Sequence, residues 1–365
     1  MPKTTQKTPK IPFSSILLKW DEKYNKREMP WKGEKNPYKI WLSEIILQQT
    51  RVEQGLNYYK KILKAYPTIQ KLAKAPDDQV FKLWEGLGYY SRCRNLLATA
   101  RKITDERKGK FPETYEEICE LKGVGPYTAA AISSFAYNLP YAVVDGNVFR
   151  VLSRIFGIDT PIDSTEGKKF FSELAASLLD EKKPGKFNQA IMDFGATVCK
   201  PLAPACEKCP FKKNCEALAT NRVMQLPIKE KDISIKSRWF YYLVIHYRDK
   251  MIVGQRTSKD IWQDLFEFPL LELDKTLAPD KLLSLAIKKK WFNAKEFELL
   301  GVSPLFKQQL SHQLIAGQFI SVKLKKKPTL PDGWQLVDAN QIKKLAFPQF
   351  INQFLTEKVS QQAMF

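Results

Sequence analysis

No apolar run in this 365-residue chain approaches the ~18 residues needed to cross a membrane as a helix. The first ten residues, Met1 to Lys10, are polar and basic and lack the apolar core of a signal peptide. Both absences point to an intracellular protein of the cytoplasm or nucleoid, where thiols stay reduced. No repeat of solenoid length is evident, which excludes a stacked-repeat architecture. Acidic residues are also scarce: 39 Asp and Glu against 59 Lys and Arg leave a formal charge of +20. Such a surplus says little about fold and favours a polyanionic partner such as nucleic acid. Strands are missing from the first part of the chain, since no period-two pattern stands out between residues 13 and 220.

What is present is globular. A content of 44% hydrophobic residues excludes disorder, and the length suggests two domains with separate cores. Asn36-Pro37 supplies an N-cap and a first-turn proline for a helix through "YKIWLSEIILQQT". Thr114 and Glu117 read as a capping box for a short helix ending near Leu121. "VFRVLSRIFGI" puts Val148, Leu152 and Ile155 on one helical face. Residues 225–238 are charged, lack a core pattern and read as a linker. Beyond it, "WFYYLVIHY", "MIVGQR", "FEFPLLEL" and "QFISVKLKK" are strand candidates, with a helical stretch at "DKLLSLAIKKKWF". Residues 356–365 read as a frayed tail, and the basic N-terminus as disordered.

Three stretches carry chemistry. Cys199, Cys206, Cys209 and Cys215 follow a Cys-x6-Cys-x2-Cys-x5-Cys spacing that suits zinc or an iron–sulfur cluster, and spacing alone does not separate the two. Their loop carries Lys200, Lys208, Lys212 and Lys213, which could meet phosphates. Cys93 and Cys119 stand apart and are expected to be buried small side chains. "LKGVGPYTAAA", residues 121–131, joins a helix end to a new helix through a Gly-Val-Gly turn. Its glycines allow close backbone approach, and free first-turn amides favour an anion such as a DNA phosphate. Finally, Glu44 sits among apolar residues in a helix expected to be buried, so its pKa should rise, with Gln48 one turn on. Asp145 precedes a helix start, where amides would keep it ionised. Two carboxyls with pKa values pushed apart suit cleavage at an acetal-like carbon: one protonates the leaving group and the other stabilises an oxocarbenium-like cation.

"LSEIILQQT", "GLGYYSR", "LKGVGPYTAAAI", "VVDGNVFRV" and the four-cysteine loop together resemble the MutY family of adenine DNA glycosylases. That family lies in the helix-hairpin-helix superfamily with endonuclease III. The resemblance runs from about residue 13 to 220 and extends more weakly beyond. It implies a multidomain fold: an all-α helix-hairpin-helix glycosylase domain over 13–224, the linker 225–238, and an α+β Nudix-like domain over 239–355. It implies a monomer that excises adenine paired with 8-oxoguanine or guanine in duplex DNA, for base excision repair, and a 4Fe–4S cluster on the four cysteines. By motif, Glu44 would protonate adenine N7, and Asp145 would stabilise or transiently trap the sugar cation. Tyr127 and Asn147 would position Asp145 and its surroundings. Gln48 and Tyr89 would fill or wedge the duplex once adenine is flipped out. Trp31, Gln49, Thr50, Gly123, Gly125 and Gln189 would contact DNA. Ser311 and His312 would hydrogen-bond 8-oxoguanine, in a loop where the family's aromatic is replaced by Leu310.

Endonuclease III carries a lysine where this chain has Tyr127, and a phenol forms no Schiff base. The expectation is therefore base excision without efficient β-elimination. A non-catalytic damage binder would need neither Glu44 nor Asp145. A thymine- or uracil-type mismatch glycosylase is the other alternative. No Nudix catalytic box is found, so nucleotide hydrolysis by the second domain is disfavoured.

Overall fold

The computed structural model describes residues 11–230 and 234–362, so the basic N-terminus, the middle of the linker and the last residues of the tail lie outside the described residues. The chain divides into two compact units. One takes in the chain up to Lys74 and from Asn95 into the linker; the other takes Ala75–Arg94 and the chain beyond the linker. Residues 75–94, expected within the helical domain, thus cluster with the C-terminal unit. There Lys82 Nζ donates to Leu345 O at 2.8 Å, Glu85 Oε1 accepts from Phe347 N at 2.8 Å, and Arg94 Nη1 donates to Gln263 O at 2.9 Å.

The helices of the first half are α1 (Phe13–Tyr24), α2 (Pro37–Leu47), α3 (Val52–Ala65), α4 (Ile69–Ala73), α5 (Asp77–Trp84), α6 (Ser91–Arg107), α7 (Tyr115–Cys119), α8 (Pro126–Tyr137), α9 (Gly146–Phe156), α10 (Thr165–Leu178), α11 (Pro184–Thr197) and α12 (Glu216–Ala219). Of these, α5 belongs to the second unit and the unit boundary falls inside α6. Among the described residues the first unit has no strand. Asn36 caps α2 as expected, its side chain accepting from Tyr38 N at 3.0 Å and Lys39 N at 3.3 Å. Every residue of α2 from Ile40 to Ile46 is buried, which accounts for its all-round apolar sequence. The core gathers Phe13, Leu17 and Trp20 of α1, Val148, Leu152 and Ile155 of α9, and Phe187 and Phe194 of α11. The face read from the α9 sequence is therefore the packed one.

One fully buried asparagine ties this core to the segment entering α9. Asn188 Oδ1 accepts from Val143 N at 3.1 Å, and Asn188 Nδ2 donates to Ser134 Oγ at 2.9 Å and Tyr141 O at 2.8 Å. A buried amide with its donors and acceptor in use is costly to unpair.

The second unit holds β1 (Lys236–Tyr247), β2 (Lys250–Gln255), β3 (Phe266–Glu267), β4 (Leu270–Leu273), α13 (Pro279–Lys288), β5 (Phe297–Val302), β6 (Phe306–Gln309), β7 (Gln313–Leu324), β8 (Trp334–Val337), α14 (Ala339–Ile342) and α15 (Gln349–Gln362). The backbone of the sheet runs β3-β2-β1-β7-β5, with β4 on β1, β6 on β7 and β8 on β2. Strands β1 and β7 are parallel, from Lys236 opposite Gln313 to His246 opposite Lys323. Phe240 to Ile245 are all buried, because both sheet faces are covered. Tyr241, Leu243 and Ile245 enter one core with Leu282 and Leu283 of α13. Tyr242 stacks on Phe319 at 5.5 Å, and Phe319 stacks on Phe354 of α15 at 4.1 Å.

Two expected boundaries shift. The strand begins inside the expected linker, since Arg238 of β1 pairs with Asp260 at 2.6 Å and Glu272 at 2.7 Å. The expected frayed tail is largely helical, because buried Phe350, Ile351 and Phe354 anchor α15, which continues to Gln362. Among the described residues no helix is long and apolar enough to cross a membrane.

Replacing Asn188 with leucine strands Val143 N–H, Ser134 Oγ and Tyr141 O without their partner. The expected loss is about 3 kcal/mol of unfolding free energy, read from urea denaturation of the two proteins.

Candidate active site

The site is a cleft of about 640 Å³ in the helical unit. It brings together nine of the residues singled out from sequence: Trp31, Glu44, Gln48, Gln49, Thr50, Tyr127, Asp145, Asn147 and Gln189. Glu44 sits in the last turn of the buried α2, Tyr127 in the first turn of α8, and Asp145 at the N-cap of α9. Three helix ends thus deliver three ionisable side chains to one place.

Glu44 is 7% exposed, and burial pushes its carboxyl up to about 7. A hydrogen bond with Tyr127 pulls the other way, and the nearby Asp145 charge adds to the rise. Loss of water disfavours a carboxylate strongly, so about half of the acid keeps its proton near pH 7. The Tyr127 phenol, itself raised well above its ordinary range by burial first and then by the Glu44 and Asp145 charges, stays protonated. Its hydroxyl also lies 3.6 Å from Met192 Sδ.

Asp145 is held differently. Its Oδ1 accepts from Asn147 N and Val148 N, both at 2.8 Å, and its Oδ2 accepts from Asn147 Nδ2 at 2.8 Å. The expectation that these donors keep it low needs correction. Burial outweighs them and raises the Asp145 carboxyl too, while the helix amides, Asn147 and the Arg150 charge act in the opposite sense. What distinguishes the two acids is their donor set: a single phenol for Glu44, and backbone amides, a side-chain amide and a nearby guanidinium for Asp145.

Arg150 was not evident from sequence, though an arginine on the packed face of an apolar helix was a signal for it. Its Nη2 donates to Asn147 Oδ1 at 2.8 Å and Gly195 O at 2.7 Å, and its Nε donates to Cys199 O at 2.8 Å. One turn on, Arg154 donates to Lys200 O at 2.7 Å, Pro201 O at 3.1 Å and Leu226 O at 3.0 Å. Two buried arginines at i and i+4 therefore clamp the start of the cysteine loop, and the first also turns the Asn147 amide toward Asp145.

The four cysteines of that loop line one small cavity together with Arg154, Ile155 and Phe194. Arg154 Nη1 lies 3.6 Å from Cys199 Sγ. Among the described residues no three potential ligands are gathered tightly enough to chelate a single ion. Four sulfurs around one recess, with a guanidinium beside them, fit a group that takes a ligand from each wall and carries negative charge. Lys200, Lys208, Lys212 and Lys213 are exposed, and Lys212 pairs with Glu207 at 2.5 Å. Cys93 is buried as expected, whereas Cys119 is only half-buried.

Gln48 does more than accompany Glu44. Its Nε2 donates to Gly123 O and Thr128 Oγ1, both at 3.3 Å, tying the end of α2 to the hairpin. Gly123 has φ +82, and a Cβ there would come 2.8 Å from Asn95 Cβ, so the turn needs glycine. Gly125 caps α8 without a side chain, with open space beside it, leaving the first-turn amides uncapped.

The remaining candidates lie in the second unit. Ser311 and His312 form the exposed tip between β6 and β7, closed by Leu310 N donating to Gln313 O at 2.7 Å. Tyr89 is 42% exposed with φ +49, and its hydroxyl hydrogen-bonds Ser311. Gln49 in the first unit is likewise exposed with φ +53, a backbone state that costs a non-glycine residue energy and concentrates at functional sites.

Residues 42–176 match the HhH-GPD superfamily of base excision DNA repair proteins, and residues 240–357 match the NUDIX domain. The fold is thus that of a helix-hairpin-helix repair glycosylase joined to a Nudix-like unit. A thermostable thymine-DNA glycosylase structure superposes with a TM-score of 0.53 at 32% identity, over 57% of this chain and 95% of its own. An endonuclease III–DNA covalent intermediate shares the fold, with a TM-score of 0.50 at 20% identity, over 57% of this chain and 95% of its own. The adenine DNA glycosylase of Buchnera aphidicola subsp. Baizongia pistaciae is 36% identical over 82% of this chain and 83% of its own length. The human adenine DNA glycosylase is 44% identical over 56% of this chain and 39% of its own. The chain belongs to the adenine DNA glycosylase family, the MutY proteins, hydrolases that cleave the N-glycosidic bond of adenine.

Tyr127→Phe removes a hydrogen bond that favours ionised Glu44. The Glu44 carboxyl should then titrate above its wild-type value of about 7, as followed by carboxyl 13C NMR against pH.

Proposed function

We propose that this chain removes adenine paired with 8-oxoguanine or guanine in duplex DNA, without itself cutting the strand. The observation that carries this is the buried Glu44 carboxyl, raised to about 7 in a cleft shared with Asp145. A flipped adenine presents N7 as an acceptor on its outer edge. Neutral Glu44 gives its proton to N7, which makes the base a better leaving group. As the C1′–N9 bond breaks, its electron pair goes to the base and positive charge develops on the sugar. The Asp145 carboxylate, held by the α9 amides and Asn147, stabilises that charge or traps it transiently, and water completes the hydrolysis.

Tyr127 bears on the second half of the proposal. It stands at the mouth of α8 and offers no amine, so the sugar forms no Schiff base with the protein at this position. The uncapped amides of α8 and the Gly123–Gly125 turn suit a phosphate contact without sequence reading. Gln48, Tyr89, Thr50, Gln49 and Trp31 would contact the opened duplex. Exposed Ser311 and His312 have the donors to read 8-oxoguanine, with Leu310 half-buried at the start of the tip. Cys199, Cys206, Cys209 and Cys215 would hold a 4Fe–4S cluster. When bound, that cluster supplies structural cross-linking of the lysine-bearing loop.

Glu44→Gln tests the reading. Single-turnover assays on duplexes with adenine opposite 8-oxoguanine should show excision reduced by about a thousandfold or more. Mismatch binding, measured by anisotropy on the same duplexes, should stay within a few-fold of wild type. Loss of both together would give Glu44 a structural role. Wild-type protein that excises thymine or uracil from mispairs in preference to adenine would refute the substrate assignment.

A further inference from the structure

We infer that Arg92 is a positioning residue for lesion recognition: its guanidinium holds Tyr89 in the pose from which the phenol enters the duplex. The inference rests on the reading of Tyr89 as a wedge and adds what keeps that wedge ordered before DNA arrives.

Tyr89 lies in the turn between α5 and α6. It is 42% exposed, and its φ of +49 costs a non-glycine residue energy. Gly86 and Gly88, just before it, have φ +89 and +80, so the turn is built largely from left-handed residues. Such a turn needs outside support to present one conformation.

Arg92, in the first turn of α6, supplies it. The residue is only 7% exposed. Its Nη2 donates to Gly88 O at 3.2 Å, and the Trp84 indole Nε1 donates to the same oxygen at 3.1 Å. The guanidinium lies over the Tyr89 ring, 5.3 Å from its centre, and over the Trp84 ring at 5.5 Å. Both distances allow a cation–π attraction, and the planar guanidinium can stack while it donates. One cation thus holds the peptide oxygen that precedes Tyr89 and the face of the Tyr89 ring. The far end of the ring is held as well, since the Tyr89 hydroxyl hydrogen-bonds Ser311.

The burial of Arg92 decides between two roles for a cation in a DNA-binding protein. At 7% exposure it has little surface to offer a phosphate, unlike the exposed lysines of the cysteine loop. Its effect on DNA therefore passes through Tyr89. A protein whose binding-competent pose is only partly populated loses affinity by that fraction, and ordering a side chain at the moment of binding has the same effect. Arg92 removes that loss in advance.

The test is a binding cycle on two duplexes, followed by anisotropy. One carries 8-oxoguanine opposite an uncleavable fluorinated deoxyadenosine; the other is fully paired. Arg92→Leu should weaken binding to the first about fivefold and leave binding to the second unchanged. Loss of a phosphate contact would instead weaken both alike. Tyr89→Ala should show the same selective loss, and the double variant should lose no more than Tyr89→Ala alone. Arg92→Lys, which keeps the charge without the planar fork, should fall short of wild type. Equal weakening on both duplexes, no weakening on either, an additive loss in the double variant, or full affinity in Arg92→Lys would each overturn the inference. If Arg92→Leu does not fold, Arg92→Lys carries the same cycle with the same overturning results. Tyr89→Ala that binds the lesion duplex as tightly as wild type would instead defeat the wedge reading itself, a separate result.

Discussion

Everything at this site depends on keeping water away from one carboxyl. Glu44 occupies a helix whose neighbours from Ile40 to Ile46 are buried, so ionising it means placing charge where solvent cannot compensate. The outcome is an acid poised near 7 rather than near 4.5. The Asn36 cap, the packing of α2 and the Tyr127 contact all serve that placement. Had Glu44 pointed to solvent, it would be ionised at neutral pH.

The counterpart constraint is to hold a second carboxyl in place where burial works against its charge. Asp145 meets it by accepting at an N-cap, and the support runs outward through Asn147 and Arg150 to the backbone of Cys199. Asn188 fixes Val143 two residues before Asp145. Asp145, Asn147 and Arg150 are consequently paired in a chain, each orienting the next, and the cysteine loop is joined to that chain by ordinary hydrogen bonds. Burial raises both acids, so what sets them apart is their partners more than their depth.

Much of this was legible in the sequence where the signal is local. Asn36-Pro37, the all-round apolar α2, the face of α9 and the acid in an apolar context follow from neighbours in the chain. Strand β1 reads as a continuous apolar run because both its faces are covered, as a central strand should be. Its parallel pairing with β7 depends on residues some seventy-seven positions apart in register, from Lys236 to Gln313, and no local pattern encodes that. The same holds for residues 75–94, which cluster with the C-terminal unit through contacts such as Glu85 with Phe347. The tail from 356 looked polar, yet three apolar anchors just before it carry the helix onward. Arg150 and Arg154 could have been noticed, since a buried helix face seldom carries two arginines one turn apart.

The most direct measurement is the pH dependence of single-turnover adenine excision by the wild-type protein. A carboxyl raised to about 7 is protonated below that pH and loses its proton above it. The excision rate should therefore fall about tenfold per pH unit above about 7. A rate that stays level or rises between pH 7 and about 9 would contradict a buried, neutral Glu44 as the proton donor.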